Sequence, residues 1–278
     1  MRITHNRWAR RAAVLAAAVA VLGSTAGVAS AAPAAKPAPK PTIVLVHGAW
    51  ADASSFAPVT VLLQRAGYTV LNAPNPLRGL ADDSASVAAF VNQATTGPVV
   101  LVGHSYGGAV ITNAALAAPR VKALTYVDAY APDQGETVIG LTGAQPGSAL
   151  AGPVESVFDV VQDPKMPAGD VDLYVKRNLF PGAFAAHLPA AAGAALAAAE
   201  APIAAGALKE ESGVPAWKSL PSWFVIGSAD RVIPAAEQQV MAKRAHGHTV
   251  TVNADHLSML ETPGVVAGTV ERAAAAVR

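Results

Sequence analysis

Residues 98–108 read Pro98-Val99-Val100-Leu101-Val102-Gly103-His104-Ser105-Tyr106-Gly107-Gly108. An apolar run typical of a buried strand leads directly into a glycine-flanked serine, and an alanine-rich segment typical of a helix follows. A strand that turns this sharply into a helix strains the serine backbone, and glycines two residues to either side let the chain close without collision. The hydroxyl would then project from the edge of a sheet. We therefore predict that Ser105 is a nucleophile.

The rest of the chain alternates between short apolar runs and longer segments with helical periodicity. The pattern predicts strands at 43–46, 68–71, 99–102, 121–127, 223–226 and 249–252, and helices at 54–66, 82–94, 106–118, 235–245 and 264–277. Continuously apolar strands that alternate with helices indicate a parallel sheet covered on both faces. The predicted fold class is therefore α/β, with a doubly wound, mostly parallel sheet.

The segment from about 131 to 220 interrupts this alternation and precedes the last two predicted strands. It contains an alanine-rich helical stretch at 183–199 and several apolar residues that a disordered loop would lack: Phe158, Tyr174, Leu179, Phe180, Phe184, Leu188 and Trp217. We predict that it forms a small helical cap over the site.

The first 31 residues resemble an export signal. Four arginines precede a short apolar core at 12–22, and small residues lead to a predicted cleavage between Ala31 and Ala32. The apolar core is too short for a stable membrane anchor, which needs about 20 residues. We predict a secreted protein with a signal peptide at 1–31, an Ala/Pro-rich linker at 32–41 and one folded domain at 42–278.

Charge and cysteine content exclude several functions. Loss of the four leader arginines from 20 basic residues leaves 16 against 19 acidic residues, a formal net charge of −3. No basic patch with interleaved aromatic residues is present, so no nucleic-acid partner is predicted. The chain has no cysteine, which excludes disulfides, zinc–thiolate sites and a cysteine nucleophile.

A serine nucleophile needs a base and a group that orients the base. His256 follows the predicted strand 249–252, at the carboxyl end of a sheet strand where catalytic groups gather. His246 and His248 are spaced like a pair of metal ligands, but no nearby residue completes a metal site. We therefore predict His256 as the base, no metal site and no cofactor.

Two aspartates are candidates for the orienting acid. Asp230 lies in the loop after the predicted strand 223–226 and falls between serine and histidine in the sequence. An aspartate in such a loop can also serve only to start the next helix. Asp128, at the end of the strand 121–127, is the second candidate, while Asp255 adjoins His256 too closely to reach its ring from the required side.

The negative oxygen of a tetrahedral intermediate needs two backbone N–H donors. One is predicted at Tyr106, at the start of a helix where amides are free. The other is predicted at Ala49, because Gly48 lets the loop after the first strand turn toward Ser105. Trp50 and Leu257 are predicted to border the substrate cleft.

The loop 47–50, the 103–108 turn, Asp230 and His256 together resemble the α/β-hydrolase superfamily over nearly the whole mature chain. Residues 44–49 and 254–260 are similar to the branch that holds salicylate methyl ester esterases and hydroxynitrile lyases, and the chain also resembles exported bacterial hydrolases. Lyases of that branch carry lysine after the histidine and threonine in the oxyanion loop. Here these positions are Leu257 and Gly48, which favours ester hydrolysis.

The resemblance implies a serine carboxylic ester hydrolase that forms an acyl-enzyme. The apolar cap segment, with Trp50 and Leu257 at the cleft, favours small to medium apolar esters as substrates. Ser105 in place of the aspartate nucleophile argues against dehalogenases and epoxide hydrolases of this fold. Two alternatives remain open: another reaction on the same triad, either carbon–carbon bond hydrolysis or cofactor-free perhydrolysis, and a ligand-binding protein with little turnover.

Overall fold

The computed structural model describes residues 39–277, so the predicted signal peptide and most of the predicted linker lie outside the described residues. The described part of the chain forms nine strands: β1 Thr42–Val46, β2 Val70–Asn72, β3 Val99–His104, β4 Val121–Val127, β5 Phe158–Val161, β6 Asp172–Val175, β7 Ile203–Ala204, β8 Ser222–Gly227 and β9 His248–Val252.

The same residues form helices along the whole domain. The α-helices are α1 Ala57–Arg65, α2 Leu80–Ala94, α3 Tyr106–Ala114, α4 Val138–Thr142, α5 Val154–Val157, α6 Phe180–Phe184, α7 Ala190–Ala199, α8 Ala205–Lys209, α9 Ala235–Arg244, α10 Ser258–Glu261 and α11 Pro263–Ala276. Short 3₁₀ turns occur at Ala53–Phe56, Ala115–Ala117 and Ala216–Lys218. Among these helices, none is both long and apolar enough to cross a membrane.

Six strands form one parallel sheet in the order β2-β1-β3-β4-β8-β9. The inner strand β3 is buried along its whole length, as its continuous apolar sequence predicts for a strand with helices on both faces. Helices α1 and α11 pack against each other, as do α2 and α3, and α11 also contacts β3, β4 and β8. The predicted α/β fold with a mostly parallel, doubly wound sheet is confirmed.

The strand order reverses direction between β1 and β3. From β1 the chain runs outward to β2, then crosses back to β3 and continues toward β9. Loops that leave neighbouring strands at such a reversal diverge and leave a crevice at the carboxyl ends of the strands. The loop after β1 and the Ser105 turn after β3 lie at this crevice.

The segment between β4 and β8 is not purely helical. It holds α4 to α8, and α7 falls within the predicted alanine-rich helix, but β5, β6 and β7 form an additional antiparallel sheet. This sheet is not predicted by the sequence, because its strands are only two to four residues long and show no clear alternation. The aromatic residues Phe158, Phe180, Phe184 and Trp217 are buried, as expected for a packed cap.

Gly107 sets how closely α3 can approach β1. A Cβ atom at this position would lie 2.5 Å from the carbonyl oxygen of Val46 and 2.6 Å from that of His47. We expect Gly107→Ala to lower the free energy of unfolding by about 1–3 kcal/mol, because backbone atoms cannot move aside as a flexible side chain could. Urea denaturation of the purified protein measures this difference.

Gly182 in α6 provides the matched control, since a Cβ there would meet no atom within 4 Å. Gly182→Ala should change the free energy of unfolding by no more than about 0.5 kcal/mol. Equal destabilisation by the two substitutions would contradict the assigned contact.

Candidate active site

Ser105 lies between the end of β3 and the start of α3. Its backbone has φ 51° and ψ −125°, a positive φ that is strained for a residue with a side chain. Gly103 makes the turn possible, because a Cβ there would lie 2.5 Å from the carbonyl oxygen of Gly107. The Ser105 carbonyl accepts hydrogen bonds from Gly108 N (2.9 Å) and Tyr130 N (3.2 Å). These bonds hold a backbone conformation that is costly for a residue with a side chain.

The loop after β1 packs directly against this turn. A Cβ at Gly48 would lie 2.6 Å from the Cβ of Ser105, so only glycine allows the approach. Ala49, next in the chain, lines the same cavity as Ser105 and Tyr106. Within residues 39–277, the amides of Ala49 and Tyr106 donate to no loop or turn carbonyl. Both predicted oxyanion donors therefore lie at the cavity that holds Ser105.

His256 and Asp230 form a fully buried pair. His256 Nδ1 lies 2.9 Å from Asp230 Oδ2, and both side chains are 0% exposed. The carboxylate also accepts hydrogen bonds from Val232 N, Ile233 N and Gln238 Nε2, at 2.7–2.9 Å. Because Nδ1–H donates to the carboxylate, Nε2 carries the lone pair. Within the described residues, Nε2 is buried and has no hydrogen-bond partner.

Burial governs the protonation of this pair. It lowers the pKa of His256 from 6.5 to about 3, and the charge of Asp255 opposes the change only in part. Burial also raises the pKa of Asp230, while the surrounding N–H donors oppose that rise. The imidazole is therefore neutral at neutral pH, the form in which a histidine can accept a proton.

Asp128, the second candidate acid, has different partners. Its Oδ1 accepts from Gly227 N (2.8 Å) and its Oδ2 from Ser258 N (3.0 Å). The side chain thus joins the end of β8 to the loop that carries His256. Burial, followed by the nearby charge of Asp230, raises the pKa of Asp128. The structure pairs His256 with Asp230, and Asp255 turns toward the cap, where it accepts from His187 N (2.6 Å).

His104 contacts the site and was not singled out from the sequence. Its Nε2 lies 2.9 Å from the carbonyl oxygen of His256, and the two rings are 4.8 Å apart. A carbonyl can only accept, so Nε2 of His104 carries a proton. Burial lowers the pKa of His104 well below 6.5, which keeps the ring neutral. The signal in the sequence was a histidine directly before Ser105, because a histidine in this turn can donate a hydrogen bond to a neighbouring loop.

Ser105 opens into a mostly apolar cavity of about 140 Å³. The cap supplies much of its wall, including Val138, Leu150, Phe158 and Leu173. Trp50 borders this cavity, and its indole N–H donates to the Leu173 carbonyl at 2.8 Å. Leu257 is placed elsewhere: it is buried and borders a second, smaller pocket together with Trp50.

Residues 43–269 match the sequence model of the Alpha/beta hydrolase family. The chain belongs to this family. The resemblance drawn from the motifs is thereby confirmed, and the parallel sheet and the strand–turn–helix geometry at Ser105 agree with it.

Proteins similar to this chain include named esterases and hydrolases. A carbendazim hydrolyzing esterase from Nocardioides sp. (strain SG-4G) is 34% identical over 110 residues, which span 35% of this chain and 46% of that relative. An extracellular alpha/beta-hydrolase from a Paenibacillus species has a TM-score of 0.66 at 21% identity, with 84% of this chain and 98% of that one covered. That structure is described as sharing structural and functional homology with tobacco salicylic acid binding protein 2. A pyrethroid hydrolase from Sphingobium faniae JZ-2 has a TM-score of 0.66 at 20% identity, with 85% of this chain and 98% of that one covered.

The two buried histidines predict how acid destabilises this hydrolase-family protein. His104 and His256 stay neutral when folded but bind protons with a pKa of 6.5 when unfolded. Their contribution to stability is therefore complete above pH 6.5 and is lost as the pH falls below it. Acidification from pH 7.5 to pH 5 should lower the free energy of unfolding. We expect this decrease to be about 2 kcal/mol smaller in His104→Gln, which retains a donor but cannot titrate.

Urea denaturation at both pH values measures the effect, with His248→Gln as the control because His248 is exposed. The control should show the same acid-dependent loss as the unmodified protein. An unchanged loss in His104→Gln would mean that His104 already binds a proton in the folded protein.

Proposed function

We propose that this α/β hydrolase is an exported carboxylic ester hydrolase that acts through Ser105, His256 and Asp230. One observation carries the proposal: the fully buried contact between His256 Nδ1 and Asp230 Oδ2 leaves the other ring nitrogen with a lone pair and, among residues 39–277, no hydrogen-bond partner. A buried imidazole in this state is suited to accept a proton from a serine hydroxyl. Ser105 is the serine of the adjacent turn, since His104 beside it contacts His256.

The first half of the reaction forms an acyl-enzyme. Ser105 Oγ attacks the ester carbonyl carbon while His256 Nε2 takes the hydroxyl proton, and the carbonyl oxygen becomes negatively charged. The amides of Ala49 and Tyr106 donate to this oxygen. When the tetrahedral intermediate collapses, the bond to the alcohol oxygen breaks and the alcohol leaves with the proton held by His256.

The second half returns the enzyme to its starting state. Water attacks the acyl carbon and gives one proton to His256 Nε2, and the same two amides stabilise the second tetrahedral intermediate. The bond to Ser105 Oγ then breaks, and the serine recovers its proton from the imidazole. Asp230 keeps the ring oriented and stabilises its positive charge in both halves. These steps require no cofactor.

The cavity supports small to medium apolar esters as substrates. Its volume of about 140 Å³ is similar to that of an engineered apolar cavity of about 150 Å³ that binds benzene. Apolar side chains around Ser105 would bury a short acyl chain or one aromatic ring, and polar parts of the substrate would stay outside the cavity. Export rests on the arginine-rich leader, and the relatives named as esterase and hydrolase support the reaction class.

Ser105→Ala should abolish ester turnover. We expect kcat toward p-nitrophenyl acetate and butyrate to fall by at least about 1,000-fold, because no other group forms the acyl-enzyme. Ser86→Ala, in α2, is the matched control and should retain full activity. Circular dichroism establishes that both variants are folded. Retained turnover in Ser105→Ala would remove the assignment.

Labelling with a fluorophosphonate separates an enzyme from a ligand-binding protein of this fold. The unmodified protein should both label at Ser105 and release product over many cycles. A protein that labels without sustained turnover would favour the ligand-binding alternative.

The acid assignment predicts unequal effects of two conservative substitutions. Asp230→Asn should lower kcat by about 10³–10⁴-fold, because the amide no longer selects the tautomer with the lone pair on Nε2. Asp128→Asn removes one acceptor from a loop contact, so it should lower stability but leave kcat per folded molecule within about tenfold. Active-site titration normalises kcat to folded protein, and the opposite ranking would exchange the two roles.

A further inference from the structure

A second cluster of polar side chains joins the cap to the loop that carries His256. His187 comes from the connection between α6 and α7, Asp255 precedes His256, and Glu261 ends α10. His187 Nδ1 lies 3.6 Å from Asp255 Oδ1 and 3.3 Å from Glu261 Oε2. The three ligand atoms all lie within 4.8 Å of one another. None of these side chains takes part in the reaction described above.

The charges in this cluster are not balanced by a permanent cation. The side chains of Asp255 and Glu261 are only 4% and 7% exposed, so water screens their mutual repulsion poorly. Within residues 39–277, His187 is the only basic side chain paired with either carboxylate. A bound cation would place a positive charge between the two carboxylates.

The distances are compatible with a shared metal ion. His187 Nδ1 hydrogen-bonds Glu261 Oε2 at a long 3.3 Å and lies 3.6 Å from Asp255 Oδ1, beyond hydrogen-bond distance. Tetrahedral zinc, with ligand bonds of about 2.0–2.2 Å, places neighbouring ligand atoms roughly 3.4 Å apart. The separations of 3.3 Å and 3.6 Å match this value.

Backbone contacts already orient the two carboxylates. The amide of His187 donates to Asp255 Oδ2 at 2.6 Å, which leaves Oδ1 toward the imidazole. The amide of Asp255 donates to both carboxylate oxygens of Glu261 at 3.2 Å. Such outer contacts hold ligand atoms in place in known metal sites. The His187 side chain is 43% exposed, so an ion can enter from solvent.

We propose that His187, Asp255 and Glu261 bind a divalent transition-metal ion of the zinc type, with water as the remaining ligand. One imidazole and two carboxylates suit zinc better than magnesium or calcium, which prefer oxygen ligands alone. The ion fastens the cap connection between α6 and α7 to the loop that carries His256. The site stands apart from the proposed ester hydrolysis and does not depend on it.

Zinc titration of the full chain tests this site. The chelator-stripped protein is titrated with Zn²⁺ by calorimetry at pH 7.5, and one ion per chain should bind and raise Tm. His187→Gln and Glu261→Gln should each weaken binding by at least about 100-fold, since loss of a direct ligand costs no less than loss of an outer contact. His248→Gln, which changes an exposed histidine, should bind Zn²⁺ as tightly as the unmodified protein does. Mg²⁺ and Ca²⁺ should not raise Tm comparably.

Hydrogen exchange of residues 185–189 provides a readout that does not depend on catalysis. Zn²⁺ should slow exchange in this segment of the unmodified protein and leave His187→Gln unaffected. If Glu261→Gln fails to fold, His187→Gln decides the outcome, because its side chain is partly exposed. The proposal is overturned if no zinc binds, if His187→Gln binds zinc as tightly as the unmodified protein, or if Mg²⁺ binds equally well.

Discussion

Close contact between backbone segments around Ser105 is the constraint on which the rest of the site depends. Gly48, Gly103 and Gly107 each lie where a Cβ would come within 2.6 Å of a neighbouring atom. The loop after β1, the end of β3 and the first turn of α3 therefore meet without intervening side chains. This packing holds Ser105 at positive φ, a conformation that costs about 1–3 kcal/mol and persists only where the surroundings enforce it.

The polar part of the site is assembled by loops that leave β4, β8 and β9. Asp128, at the end of β4, accepts from amides on both other loops, and His104 donates to the backbone of His256. The Asp230–His256 contact is thus held from several sides before any substrate arrives. A buried carboxylate loses its hydration, and the four donors around Asp230 replace the water that it would otherwise bind.

The inner strands of the main sheet could be predicted because helices cover both faces, which makes their sequences largely apolar. The cap sheet could not be predicted, since strands as short as Ile203–Ala204 carry no periodicity. Asp230 and Asp128 both follow sheet strands, so only side-chain contacts separate their roles. The sequence does not specify how the loop after β9 folds, so the direction of the Leu257 side chain could not be predicted. In the structure it borders the second pocket rather than the cavity of Ser105.

The proposed reaction places chemistry and substrate selection in different parts of this fold. The proposed reacting groups belong to loops of the parallel sheet, while cap residues such as Leu150, Phe158 and Leu173 form much of the cavity wall. Trp50 connects the two parts: it adjoins the predicted oxyanion loop, stacks on Phe158 at 5.5 Å and donates to the Leu173 carbonyl. Because these contacts are buried and specific, the cap cannot shift as a unit without disturbing Trp50. Individual cap side chains can change size independently, so the cavity can be reshaped while the geometry around Ser105 is preserved.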